Sequence, residues 1–130
     1  MPAPHPLQRL RDADAWQRLD AESEAILVIG SAGCGACRLA ARVVPEVAAE
    51  AGLPLFWAEA DEAPGLVAAL DVFHLPALFW MRDGEPFSLE APLQHAALHA
   101  ALEAARAQLL PSPQPVTGVR PANTARDRSG

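Results

Sequence analysis

The chain has 130 residues, 51% hydrophobic and 20% charged, with 10 basic and 16 acidic side chains and a formal charge of −6. That is one domain's length with enough apolar content for a core. Every cation is arginine, and lysine and tyrosine are absent, which excludes Schiff-base lysine chemistry, a lysine-bearing phosphate loop and a phenolic acid or base.

Near the start, Asp12 or Asp14 is placed to cap a helix carrying Trp16 and Leu19, after a first strand around His5 to Leu10. Ala25 to Ile29 is a continuous apolar run, the pattern of a strand buried on both faces. A helix follows, on which Val43, Val44, Val47, Ala48 and Ala51 recur at helical spacing. Gly52 closes that helix as a C-terminal glycine, and Pro45 should kink it.

Leu53 to Ala60 reads as a strand, and Pro64 to Leu70 as a short helix with Asp61 or Glu62 near its start. Ala77 to Met81 and Pro86 to Leu89 form a hairpin through the Asp83-Gly84 turn, and a last helix covers Leu93 to Leu110. The order (β)αβαβαββα predicts an α/β protein with a mixed central sheet covered on both faces. Pro111 to Gly130 holds four prolines, almost no large apolar side chain and three arginines against one aspartate. It reads as a disordered Pro/Arg-containing tail, leaving residues 1–110 as the folded domain.

The apolar runs Ala25 to Ile29 and Leu75 to Met81 fall far short of the roughly 20 residues a membrane helix needs, and the Pro-rich start with Arg9 and Asp12 does not read as a signal peptide. No membrane association is expected. No nucleic-acid binding is expected either, because an acidic chain without an arginine cluster lacks the charge to neutralise phosphates. The two cysteines stand three apart, too few for a stapling framework and suited to a working dithiol in a reducing compartment, so a cytoplasmic location is expected.

Cys34-Gly-Ala-Cys37 falls between a buried strand and a helix. A helix start offers unpaired amides and the positive end of the macrodipole, which favour a thiolate at Cys34, the expected nucleophile. Cys37, one turn on, is placed to resolve a mixed disulfide formed there. Metal ligation by the two cysteines with His95 and His99, or a pair idle in redox, are the alternatives, and no metal is expected because 57 residues separate Cys37 from His95.

At this point the sequence resembles the thioredoxin family over most of residues 7 to 110: the Cys34–Cys37 dithiol, Asp61, the Leu75-Pro76-Ala77 step and Asp83-Gly84. The spacings from Asp61 to Pro76 and from Pro76 to Gly84 match without a gap. The resemblance implies a thioredoxin-like three-layer α/β/α fold, no cofactor, and a monomer that reduces protein disulfides and is itself reduced by a donor such as a thioredoxin reductase. It also implies that Pro76 is a cis-proline facing the dithiol and that Gly33, Leu75 and Pro76 bind substrate, with the Leu75 backbone pairing by strand addition. His74 and Glu59 are candidate modulators, His74 as a cation or proton relay on the rim and Glu59 as a base.

Several positions depart from the family's pattern. Its buried aspartate and the lysine near it are Val28 and Trp57 here, so Cys37 lacks the usual base. Gly33 and Ala36 stand where the family has tryptophan and proline, and the kinking proline comes a turn later. These losses leave a second expectation open, a thioredoxin-like chaperone or assembly factor that binds polypeptide with little or no turnover.

Overall fold

A computed structural model describes residues 7–109, the side chain of Leu109 excepted. The predicted tail and His5 lie outside the described residues. The elements in chain order are β1 (Gln8–Leu10), α1 (Ala15–Asp20), β2 (Glu24–Gly30), α2 (Gly35–Ala51), β3 (Leu55–Glu59), a 3-10 turn (Ala60–Glu62), α3 (Pro64–Ala69), β4 (Ala77–Arg82), β5 (Glu85–Ser88) and α4 (His95–Leu109). The strands form one mixed sheet in the order β1-β3-β2-β4-β5, in which β2 is central. It runs parallel to β3 and antiparallel to β4, and β1 is parallel to β3.

Side-chain alternation along the buried strands splits the core in two. Ile26 and Val28 of β2 join Leu55 and Trp57 of β3 and Leu78 and Trp80 of β4 on one face, under the apolar stripes of α2 and α4. Ala25, Leu27 and Ile29 join Phe56, Ala58, Phe79 and Met81 on the other, against Ala15 and Leu19 of α1 and Leu66 of α3. This is the three-layer α/β/α arrangement expected from the sequence.

Turn chemistry follows the sequence closely. Asp83 and Gly84 both have positive φ, 51° and 82°, the conformation a two-residue hairpin turn requires. Gly52 caps α2 in the left-handed region, its N–H reaching the carbonyls of Ala48 and Ala49. The helix is continuous through Pro45.

Helix capping is where the expectation fails. Asp14 occupies the N-cap of α1 without a side-chain capping bond; its carboxylate accepts from the Arg11 amide at 3.2 Å instead. Asp12 caps a different helix, accepting from the amides of Gly65 at 2.8 Å and Leu66 at 3.0 Å at the start of α3. Asp61 and Glu62 lie in the 3-10 turn and do not cap α3, which starts on Pro64. A carboxylate caps whichever helix start lies within reach of it, and the chain brings Asp12 across to α3. No helix among the described residues is long and apolar enough to cross a membrane.

Candidate active site

β2, the central strand, delivers the chain to the N-terminus of α2, the edge at which α/β sheets place their chemistry. Cys34 is the N-cap of α2, and its sulfur accepts the amide N–H of Cys37 at 3.1 Å. Cys34 is partly exposed, whereas Cys37 is 1% exposed within the α2/α4 face of the core; both are free thiols. Across from them the Leu75–Pro76 peptide is cis, and the Cys34 thiol points to the Leu75 carbonyl at 3.9 Å.

The two sulfurs differ electrostatically. The Cys34 thiol is held below its ordinary value, first by its hydrogen bond with the Cys37 side chain and then, against a desolvation cost, by the amides of Cys37 and Ala36 and the charge of Arg38. Burial pushes the Cys37 thiol up to about 11, with the hydrogen bond to Cys34 and the charges of Cys34 and Glu59 adding to it against the Ser31 backbone. The pair is therefore a thiol lowered at a helix start beside a buried one that is raised.

The sequence-selected residues fall unevenly around this pair. Gly33 is exposed, with open space where a side chain would be. Leu75 packs against both halves of the core. His74 is exposed and, among the described residues, makes no hydrogen bond or ion pair. Glu59, the candidate base, accepts the indole N–H of Trp57 at 2.7 Å.

The histidines are not brought to the cysteines. His95 bonds Glu50 at 2.9 Å near the C-terminal end of α2, while Cys37 sits in its first turn, about 20 Å away at 1.5 Å per residue. Among the described residues no cluster of three or more His, Cys, Asp or Glu is arranged to hold a metal.

Two neighbours escaped the sequence reading, and a third, Trp57, enters it only as the residue in place of the family's lysine. Arg38 lies four residues after Cys34, its guanidinium 3.7 Å from where a Gly35 side chain would begin; its signal was the cation directly following the dithiol. Trp57 passes close over Gly30, beside the Cys37 sulfur. Phe73, three residues before Pro76, is 89% exposed, and nothing in its sequence context separates it from a core phenylalanine.

A mixed five-stranded sheet between two helical layers, with a dithiol at the N-terminus of the helix that follows the central strand, defines the thioredoxin fold. The chain adopts that fold, and solved thioredoxins are among its structural neighbours. Thioredoxin from Trypanosoma brucei brucei is 18% identical with a TM-score of 0.66, over 81% of this chain and 96% of that one. A point mutant of thioredoxin from Halobacterium salinarum NRC-1 is 18% identical with a TM-score of 0.69, over 87% and 99%. The J-Trx1 fragment of ERdj5 is 20% identical at 0.65, over 77% of this chain and 52% of that one. No protein-family model matches the sequence, and no curated protein does.

Proposed function

We propose that this chain is a cytoplasmic thiol–disulfide oxidoreductase that reduces protein disulfides through Cys34 and Cys37. The observation that carries the reading is the asymmetry of the pair: Cys34 is accessible, with its sulfur on the Cys37 amide at 3.1 Å, while Cys37 is buried and raised to about 11. The Cys34 thiolate attacks one sulfur of a substrate disulfide; the new S–S bond is a mixed disulfide, and the other substrate sulfur leaves with the electron pair and takes up a proton. Cys37 then gives up its proton and attacks Cys34. The intramolecular disulfide forms, the bond from Cys34 to substrate breaks, and the substrate has gained two electrons and two protons.

Gly33, Leu75 and Pro76 form the substrate face in this reading. Proline has no N–H, and in this reading the Leu75 backbone pairs with an extended substrate segment that presents its cysteine to Cys34. His74, in the same loop, is a candidate modulator of the Cys34 charge. The chain acts as a monomer without a cofactor, restored by a donor such as a thioredoxin reductase.

The second reading, a polypeptide-binding chaperone or assembly factor, draws support from Phe73, whose 89% exposure beside the Leu75–Pro76 step offers an apolar contact without chemistry. Insulin disulfide reduction with dithiothreitol as donor separates the two. Turnover by the parent chain, abolished by Cys34→Ser, supports the oxidoreductase. Absence of turnover, with an unfolded reduced polypeptide bound equally by parent and Cys34→Ser, supports the binding module.

A further inference from the structure

Resolution of a mixed disulfide requires Cys37 as a thiolate, yet Cys37 is 1% exposed and burial is the largest of the causes that raise its thiol. Its surroundings are largely unable to accept a proton. β2 and β4 present Val28 and Leu78 to the same cluster, and Gly30 has no side chain; α2 presents Ala40. On its own helix the ionisable neighbour is Cys34, which is consumed in the mixed disulfide, and Arg38 is a cation directed to Cys34. From β3 the carboxylate of Glu59 bears on it, and its negative charge is one of the causes that raise the thiol.

The placement of that carboxylate is built. Gly30 and Glu59 are register partners on β2 and β3, as are Val28 and Trp57. The Trp57 ring lies so close over Gly30 that an added Cβ would meet Cζ2 at 2.6 Å and Cη2 at 3.0 Å, and the Cys37 sulfur lies 3.2 Å from the same point. One edge of the indole and the Cys37 sulfur thus both face Gly30, and the indole N–H holds Glu59 Oε2 at 2.7 Å. A 6% exposed tryptophan needs an acceptor for its indole N–H, and Glu59 supplies it.

We infer that Glu59 is the base that takes the Cys37 proton during resolution, and that Trp57 is the positioning residue that aims it. The inference rests on the oxidoreductase reading above. In the step, the Cys37 S–H bond breaks and its proton passes by way of water to the Glu59 carboxylate. The Cys37 thiolate forms the bond to Cys34, the substrate sulfur leaves with the electron pair, and the protonated Glu59 returns the proton to that sulfur or to solvent. Proton transfer also removes the negative charge that opposed ionisation of Cys37, so the acceptor and the thiolate are not held charged together.

The test follows release of thionitrobenzoate from a Cys34 mixed disulfide of the full chain by stopped flow, across pH. Glu59→Gln keeps an acceptor for the indole and removes the base. It should slow release about a hundredfold near neutral pH, the low end of what a positioned acid or base contributes, and the deficit should shrink as pH rises and Cys37 ionises unaided. The rate of mixed-disulfide formation should not move, and Glu59→Asp should recover part of the loss. Trp57→Phe keeps a ring and drops the N–H, so a smaller slowing with the same pH signature is expected.

Glu59→Gln releasing within about twofold of the parent at every pH, in a variant folded by circular dichroism, overturns the base assignment and leaves the oxidoreductase reading standing. A slowing that is the same at all pH values assigns Glu59 a packing role and overturns it as well. A parent chain that forms the mixed disulfide but never releases the leaving thiol overturns both readings.

Discussion

Val28 and Trp57 stand opposite one another as register partners on the parallel strands β2 and β3, both facing the layer in which Cys37 is buried. The resembled family has an aspartate and a lysine at these positions, so adjacency explains why both members are exchanged: either charge alone, left without its partner in this layer, would be costly. Val28→Asp is expected to destabilise the fold by about 3 kcal/mol at neutral pH. The buried carboxyl's folded pKa would be raised above its unfolded value, so the penalty grows as pH rises through the unfolded value and is smallest in acid. Denaturant midpoints at pH 4 and pH 7, on the order of the carboxylate range and neutrality, measure it. In the Glu59→Gln background Val28→Asp should recover part of the lost resolution rate, because it supplies another carboxylate beside Cys37.

Labelling separates the cysteines. With Cys37 at about 11, roughly one part in ten thousand is thiolate at neutral pH, so iodoacetamide should modify Cys34 at least about a hundredfold faster. Peptide mapping by mass spectrometry reads the ratio, and faster modification of Cys37 reverses the assignment. Arg38→Ala should shift the Cys34 rate profile slightly upward in pH, less than loss of the helix-start hydrogen bonds, because Arg38 is the smallest of the causes that lower it. The sign for stability is opposite for the two thiols. Cys37, raised in the fold, contributes stability that is present below its ordinary value of 9.0 and lost as pH rises toward about 11, and Cys37→Ala should flatten that alkaline decline in thermal melts.

Gly30 is the contact point between Trp57 and the dithiol. Gly30→Ala places a methyl 2.6 Å from Trp57 Cζ2 and 3.2 Å from the Cys37 sulfur, so the indole must move. The expected cost is about 1–3 kcal/mol, with a fall in Tm of roughly 4–8 °C for each kcal/mol. Resolution should slow with it, since the shift loosens the Trp57–Glu59 bond.

Two aspartates two residues apart should behave differently. Asp12→Ala removes both capping bonds of α3, at 2.8 and 3.0 Å, and should cost about 1 kcal/mol. Asp14→Ala removes an exposed turn bond and a 3.5 Å ion pair with Arg18, worth about 0.5 kcal/mol or less. Denaturant unfolding of the two variants ranks them, and a larger loss for Asp14 contradicts the assignment of the cap.

What the sequence determined by itself is everything carried by near neighbours. The apolar run at Ala25 to Ile29 made a strand buried on both faces, Asp83-Gly84 made the hairpin and Gly52 the cap, because φ preferences and apolar spacing act over a few residues. The same locality put Cys34 at a helix start and Cys37 one turn inside it. What only the tertiary structure decided is pairing between elements. Asp12 meets amides 53 and 54 residues away, His95 meets Glu50 at the far end of α2 from the dithiol, and the Trp57 indole and the Cys37 sulfur both close on Gly30. Even Trp57 and Glu59, two apart on one strand, bond only because packing on Gly30 fixes where the indole N–H points. A side chain's partner depends on which surfaces the folded layers bring within about 3 Å of it, and that distance is set by the packing of the whole sheet and its helices, which no short stretch of sequence contains.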